Sequence, residues 1–185
     1  MKPVHSETNV KKYLVISAMG KDRPGIVNQL SKTILDNQGN IEDSRMAVLG
    51  GEFSLMLLVA GTWNTIAKIE AMAPALGKKL DLTITVKQTE ARPSRLNMVP
   101  YMVEVVSMDH PGIVHAIADF FSTREINIED LNTWTYSAAH TGTPMFTLSM
   151  TISVPAGQNI GRLRDEFTQF CDELNLDATL EPARH

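Results

Sequence analysis

One string of residues occurs twice, and the second occurrence dictates the architecture. Asp22-Arg23-Pro24-Gly25-Ile26-Val27 returns as Asp109-His110-Pro111-Gly112-Ile113-Val114. Asn40-Ile41-Glu42-Asp43 returns unchanged as Asn127-Ile128-Glu129-Asp130. Both motifs recur at the same interval of 87 residues, from 22 to 109 and from 40 to 127. Two motifs that keep one separation mark a duplicated unit, and a fixed internal period is read before any local propensity. The 185 residues are comfortable for two small cores.

The pattern of elements repeats with the motifs. Tyr13 to Ala18 and Tyr101 to Met108 are short apolar runs that end at a turn, as first strands do. Pro24 and Pro111 have φ already set for a helix opening. Ile26, Leu30 and Ile34, with Val27 and Leu35, line one helical face, and Ile113, Ile117 and Phe121, with Val114 and Phe120, repeat it. Second strands start at Asn40 and Asn127. Gly50-Gly51 suits a tight hairpin into a third strand, Glu52 to Ala60. The second hairpin, near Ala138 to Thr143, is longer by about six residues when Phe53 is set against Phe146.

A second helix is expected from about Asn64 to Leu76, with Ile160, Leu163, Phe167, Phe170 and Leu174 on one side of its counterpart. Leu80 to Val86 alternates as a fourth strand, and Asp177 to Leu180 is its weaker equivalent. The expected fold is α+β: two tandem ferredoxin-like βαββαβ units, each an antiparallel sheet with both helices on one face. Residues 1–88 form one unit with its core from about 12, residues 89–99 a linker, and residues 100–185 the second unit. In the third strand Met56, Leu58 and Ala60 make the second face partly apolar too. A sheet covered on one side should alternate, so this face is expected to meet another unit or chain, as in a homodimer.

Composition removes several functions. The net charge of −4 supplies no global basic field for direct nucleic-acid binding. The N-terminus lacks the apolar stretch of a signal peptide, and the longest apolar run, Leu55 to Ala60, is too short for a bilayer, so a cytoplasmic protein is expected. Cys171 stands alone and can form neither an internal disulfide nor a CxxC metal site. No phosphate loop, GxGxxG, HExxH or Ser-His-Asp order suggests a cofactor or a catalytic site. Glu42-Asp43 and Glu129-Asp130, neighbours in a strand, are expected to point to opposite faces and not to work as acid–base pairs.

A βαββαβ unit with Asp-x-Pro-Gly-Ile-Val at its first strand-to-helix turn resembles the ACT domain, the amino-acid-sensing module of metabolic regulation. Two such units, with Gly20-x-Asp22-Arg23-Pro24-Gly25-Ile26-Val27 followed by Asn40-Ile41-Glu42-Asp43-Ser44-Arg45, resemble the glycine cleavage system transcriptional repressor family over nearly the whole chain. In the second copy His110 replaces the arginine and Ser107 stands where Gly20 does. The resemblance implies an accessory, non-enzymatic repressor that acts through a DNA-binding transcriptional activator.

The turn chemistry suits a small zwitterion such as glycine. A helix N-terminus offers unpaired N–H groups and partial positive charge to a carboxylate, here at Gly25, Ile26, Gly112 and Ile113. Glycine at 25 and 112 lets a ligand approach the backbone. Asp22 and Asp109 can accept from the ammonium group, or instead cap the helix. Arg23, Pro24, His110 and Pro111 complete the turns. By resemblance, the opposing wall comes from the start of strand two in a neighbouring unit, which assigns Asn40 and Asn127, although asparagine there also suits a simple chain turn. Two rival readings remain: a ligand-free protein–protein interaction module, and the remnant of an enzyme whose catalytic domain is absent.

Overall fold

The structure, a computed structural model, describes residues 11–91 and 97–183. It divides into two compact units that part between residues 93 and 94. The first runs β1(Lys12–Lys21), α1(Ile26–Asp36), β2(Asn40–Leu49), β3(Glu52–Gly61), α2(Trp63–Leu80), β4(Thr83–Thr89). The second runs β5(Met98–Met108), α3(Ile113–Ser122), β6(Asn127–Ser137), β7(Pro144–Pro155), α4(Ile160–Glu173), β8(Asp177–Pro182). Each sheet is antiparallel and four-stranded, in the orders β2-β3-β1-β4 and β6-β7-β5-β8. Both units therefore have the βαββαβ order expected from the repeat.

Alternation along the central strands supplies each core. In β1, Leu14, Ile16 and Ala18 turn toward the helices, and in β3 Phe53, Leu55, Leu57 and Val59 do the same. The helix stripe is narrower than the sequence suggests. Ile26, Leu30 and Ile34 are buried, but Val27 and Leu35 are 46% and 71% exposed. One residue further along a helix turns the side chain by about 100°, which carries both away from the sheet. The second core holds an aromatic group that the first lacks: the rings of Phe120, Phe121 and Phe167 lie with centroids 5.2 Å apart in each pair. Phe170 adds a fourth ring 5.0 Å from Phe120.

Three boundaries differ from the sequence expectation. Helix α2 continues to Leu80, past Gly77, because that glycine accepts a close approach where a Cβ would lie 2.8 Å from the Leu82 carbonyl oxygen. The helix stops at Asp81, in the left-handed region at φ 55, and the Leu82 N–H donates to the Gly77 carbonyl at 2.9 Å. Strand β4 thus begins at Thr83, and the apparent alternation of Leu80 and Leu82 belongs to a helix end and its turn. The segment read as a linker is also shorter than 89–99. Thr89 pairs with Tyr13, and Met98 and Val99 pair with Pro155 and Val154. Pro100 is tolerated near the opening of β5 because it stands at the end of the β8 pairing, where Ala183 N–H donates to its carbonyl at 3.1 Å and only the single reciprocal bond would need its missing N–H.

Both second strands carry a β-bulge at the same motif position. Pairing shifts register between Ile41 and Asp43 in β2 and between Ile128 and Asp130 in β6. Glu42 and Glu129 are therefore the extra residues, and the strict alternation expected across Glu42-Asp43 and Glu129-Asp130 does not hold there. Both carboxylates have other engagements: Glu42 pairs with Lys11, and Glu129 accepts from Asn127 Nδ2 at 2.8 Å and Ser153 Oγ at 2.9 Å.

Candidate ligand site

The two Pro-Gly turns have one geometry. Gly25 and Gly112 are the N-cap residues of α1 and α3, with φ of 92 and 99. Only glycine adopts that conformation without strain, so the backbone itself requires these glycines. Pro24 and Pro111 consequently precede the caps and do not occupy the first helical position. Both glycines are exposed, and a Cβ at Gly112 would meet nothing within 4 Å. Neither turn lies beneath packed side chains.

The helix starts have donors to offer. The first intrahelical bonds run from Gln29 N–H to the Gly25 carbonyl at 3.0 Å and from Ala116 N–H to the Gly112 carbonyl at 2.9 Å. The amides before them have no intrahelical acceptor. Neither helix has an acidic residue in its first turn, and no side chain caps either one. Asp22 and Asp109 thus do not cap. Both are exposed, and their carboxylates have no hydrogen-bond partner among the described residues. Ile26 and Ile113 are 1% and 3% exposed, so only their backbone faces the turn.

The remaining expected residues separate. Arg23 donates from Nη2 to the Leu80 carbonyl at 2.8 Å, which ties the turn to the C-terminus of α2. Its charge there complements the negative helix end. His110 is exposed, with Nδ1 3.1 Å from the Pro111 carbonyl oxygen. Asn40 pairs with Ala60, whereas Gly20, at the turn end of the sheet, pairs with Phe53. Seven residues of β3 at about 3.3 Å each put roughly 23 Å between those levels. Asn127 and Ser107 stand the same seven residues apart along β7, opposite Ser153 and Phe146. Within a unit, then, the turn and the asparagine are at opposite ends of the sheet and cannot share a ligand. Asn127 is also held locally, donating to the Ile128 carbonyl and to Glu129.

Two grooves lie beside these residues. One of about 450 Å³ is bordered by Met19, Gly20, Gly77, Asp81 and Leu82. The other, of about 380 Å³, runs between α3 and the start of β6, past His115, Asp119, Ser122 and Asn127. The i, i+4, i+7 spacing of His115, Asp119 and Ser122 was available in the sequence and unused. Gly20, the first residue of the motif string, has a packing role: a Cβ there would lie 2.9 Å from the Asp81 carbonyl oxygen and 2.8 Å from Leu82 Cδ2. Gly20→Val is expected to lower the stability of the first unit by roughly 1–3 kcal/mol, measured by urea denaturation.

The comparisons with known proteins agree with this architecture. A family model described as the ACT domain matches residues 12–87. The glycine cleavage system transcriptional repressor of Escherichia coli strain K12 is 36% identical over 168 residues, spanning 91% of this chain and 88% of that one. The chain belongs to the glycine cleavage system transcriptional repressor family. The Shigella flexneri repressor matches to the same extent. A solved structure provisionally assigned as a repressor of this family is 31% identical, covers 95% of this chain and 99% of its own, and superimposes with a TM-score of 0.71. A protein from Galdieria sulphuraria is 26% identical over 95% of this chain, with a TM-score of 0.80. Tandem ACT units and a regulatory role follow from this membership. Among the described residues, no helix is long and apolar enough to cross a membrane.

Proposed function

We propose that this family member is a cytoplasmic, non-enzymatic accessory repressor that senses glycine or a similar small amino acid and acts through a DNA-binding transcriptional activator. One observation carries the reading: two exposed, glycine-capped helix starts, each with amides that lack an intrahelical acceptor and a nearby aspartate whose carboxylate has no hydrogen-bond partner among the described residues. A carboxylate suits the amides, and an ammonium group suits Asp22 or Asp109. The relatives' name makes glycine the first ligand to test.

The ligand is wedged between units in a homodimer. Strand β2 is an edge strand, exposed along its whole length. An antiparallel meeting of two β2 edges brings the Asn40 end of one unit toward the turn end of the other, which offsets the 23 Å separation within a unit. Ligand held by two units at once shifts the population of the packed arrangement, and the partner protein reads that shift. The first unit is the stronger candidate, since the Asn40 amide has no side-chain partner among the described residues whereas that of Asn127 is engaged.

Titration calorimetry of the full chain against the twenty amino acids tests this. Saturable uptake of one small amino acid is expected, weakened about tenfold or more by Asp22→Ala, as befits a lost hydrogen bond to a charged group. Heat from none of the twenty would favour the second reading, a ligand-free interaction module. One observation supports that alternative: the backbone needs Gly25 and Gly112 whether or not anything binds.

A further inference from the structure

The net charge of −4 conceals a division between the units. Residues 11–91 contain ten Lys and Arg against eight Asp and Glu, a net +2, whereas residues 97–183 contain three against twelve, a net −9. Strand register places part of that excess on the sheet face opposite the helices. Phe146, Leu148, Met150 and Ile152 turn toward the helices, so Thr147, Ser149 and Thr151, with their cross-strand partners, form the open face. Their partners put Asp130 and Glu104 on that face, and β5 pairing adds Asp177 beside Val106 and Glu181 beside Met102. Among the described residues, no Lys or Arg stands on it. Trp134 and Tyr136 lie on the same face, 51% and 47% exposed, with Met108 65% exposed.

We infer that this open face of the second unit is a docking surface for a basic protein segment. Aromatic faces attract guanidinium and ammonium groups, and the four carboxylates favour the same sign of charge. Four strands about 4.8 Å apart and the run from Tyr136 to Asp130 span roughly 14 by 20 Å, enough for about three to four turns of a helix. Nucleic acid, which exposed aromatics on a sheet otherwise suit, has the wrong sign of charge. A second copy is a poor occupant. The open face of its first unit has Lys21, Arg45 and Lys87 against Asp43 and Glu52, which leaves most of the acidic excess uncompensated. This surface is separate from the Pro-Gly turns, so calorimetry showing no amino-acid uptake leaves it standing, and its own failure leaves the sensing reading untouched.

The probe is a synthetic amphipathic helical peptide of Leu and Arg, followed by fluorescence of the full chain with Trp63→Phe, which leaves Trp134 as the reporter. Saturable binding is expected, weakened at least about tenfold by the combined E104Q, D130N, D177N and E181Q changes. D119N, E125Q, D165N and D172N, an equal charge change away from this face, are expected to alter it less than about threefold. Trp134→Ala, at a half-exposed position on this face, is expected to weaken binding as well, read by calorimetry. Equal weakening by the two quadruple variants would reduce the effect to bulk charge and overturn the inference. So would equally tight binding of spermine or duplex DNA, or a chain dimer that the open-face variant dissociates.

Discussion

Phe167→Ala is expected to lower the stability of the second unit by about 3–5 kcal/mol, the usual cost of removing a fully buried ring. Phe167 is 1% exposed and touches the rings of Phe120 and Phe121 at centroid distances of 5.2 Å, so its loss opens a cavity lined by aromatics fixed on α3. Those aromatics cannot collapse into it easily. Arg124 lies 3.7 Å over the Phe120 ring and is itself paired with Glu166 at 3.2 Å, which holds the outer side of the cluster in place. The first unit has a separate core in which Phe53 is the sole aromatic, so its unfolding is expected to stay as it was. Urea denaturation followed by near-ultraviolet circular dichroism checks this. A loss under about 1 kcal/mol would mean that the four rings are not a cooperative core.

The second large effect concerns Cys171, 1% exposed on α4 next to this cluster. Burial pushes its thiol up to about 12 from 9.0, with the nearby Asp172 charge adding to the rise. A pKa about three units above the ordinary value means about a thousandfold less thiolate at pH 8. Iodoacetamide is therefore expected to label native chain about a thousandfold more slowly than chain in urea. The sign for stability follows from the same shift. The unfolded chain releases this proton more readily, so the contribution is complete below pH 9 and declines as pH rises from 9 toward 12. Labelling also reports on the ring cluster: Phe167→Ala should accelerate it at pH 8, because the opened state becomes more populated. Fast labelling of the native wild-type chain would contradict the burial that both predictions share.

The repeat made the fold legible in the sequence. Two motifs at one interval of 87 residues, with alternating strands and four-residue helix stripes, were enough for two βαββαβ units. What escaped had identifiable causes. Helix α2 ran past Leu76 because Gly77 reads as a stop in one dimension but as a close contact with Leu82 in three. The bulges at Glu42 and Glu129 escaped because a single extra residue shifts phase without changing composition. The acidic excess of the second unit was countable all along, but the chain-wide total cancelled it. At the turns, the positions of Gly25 and Gly112 were legible, while the reason for them was not. A positive φ is a property of the path, and residue identity shows only that it is permitted.

Sequence by itself determined the duplication, the order of elements and the turns that precede α1 and α3, because these depend on periodicity and on the backbone limits of Pro and Gly. Tertiary structure alone decided that Asp22 and Asp109 do not cap, that Arg23 reaches the Leu80 carbonyl, and that Asn40 stands at the far end of its own sheet from the turn. It also decided which four carboxylates share an open face with Trp134. The physical reason is common to all of them. Hydrogen-bond partners and shared faces are set by strand register, which joins residues dozens of positions apart.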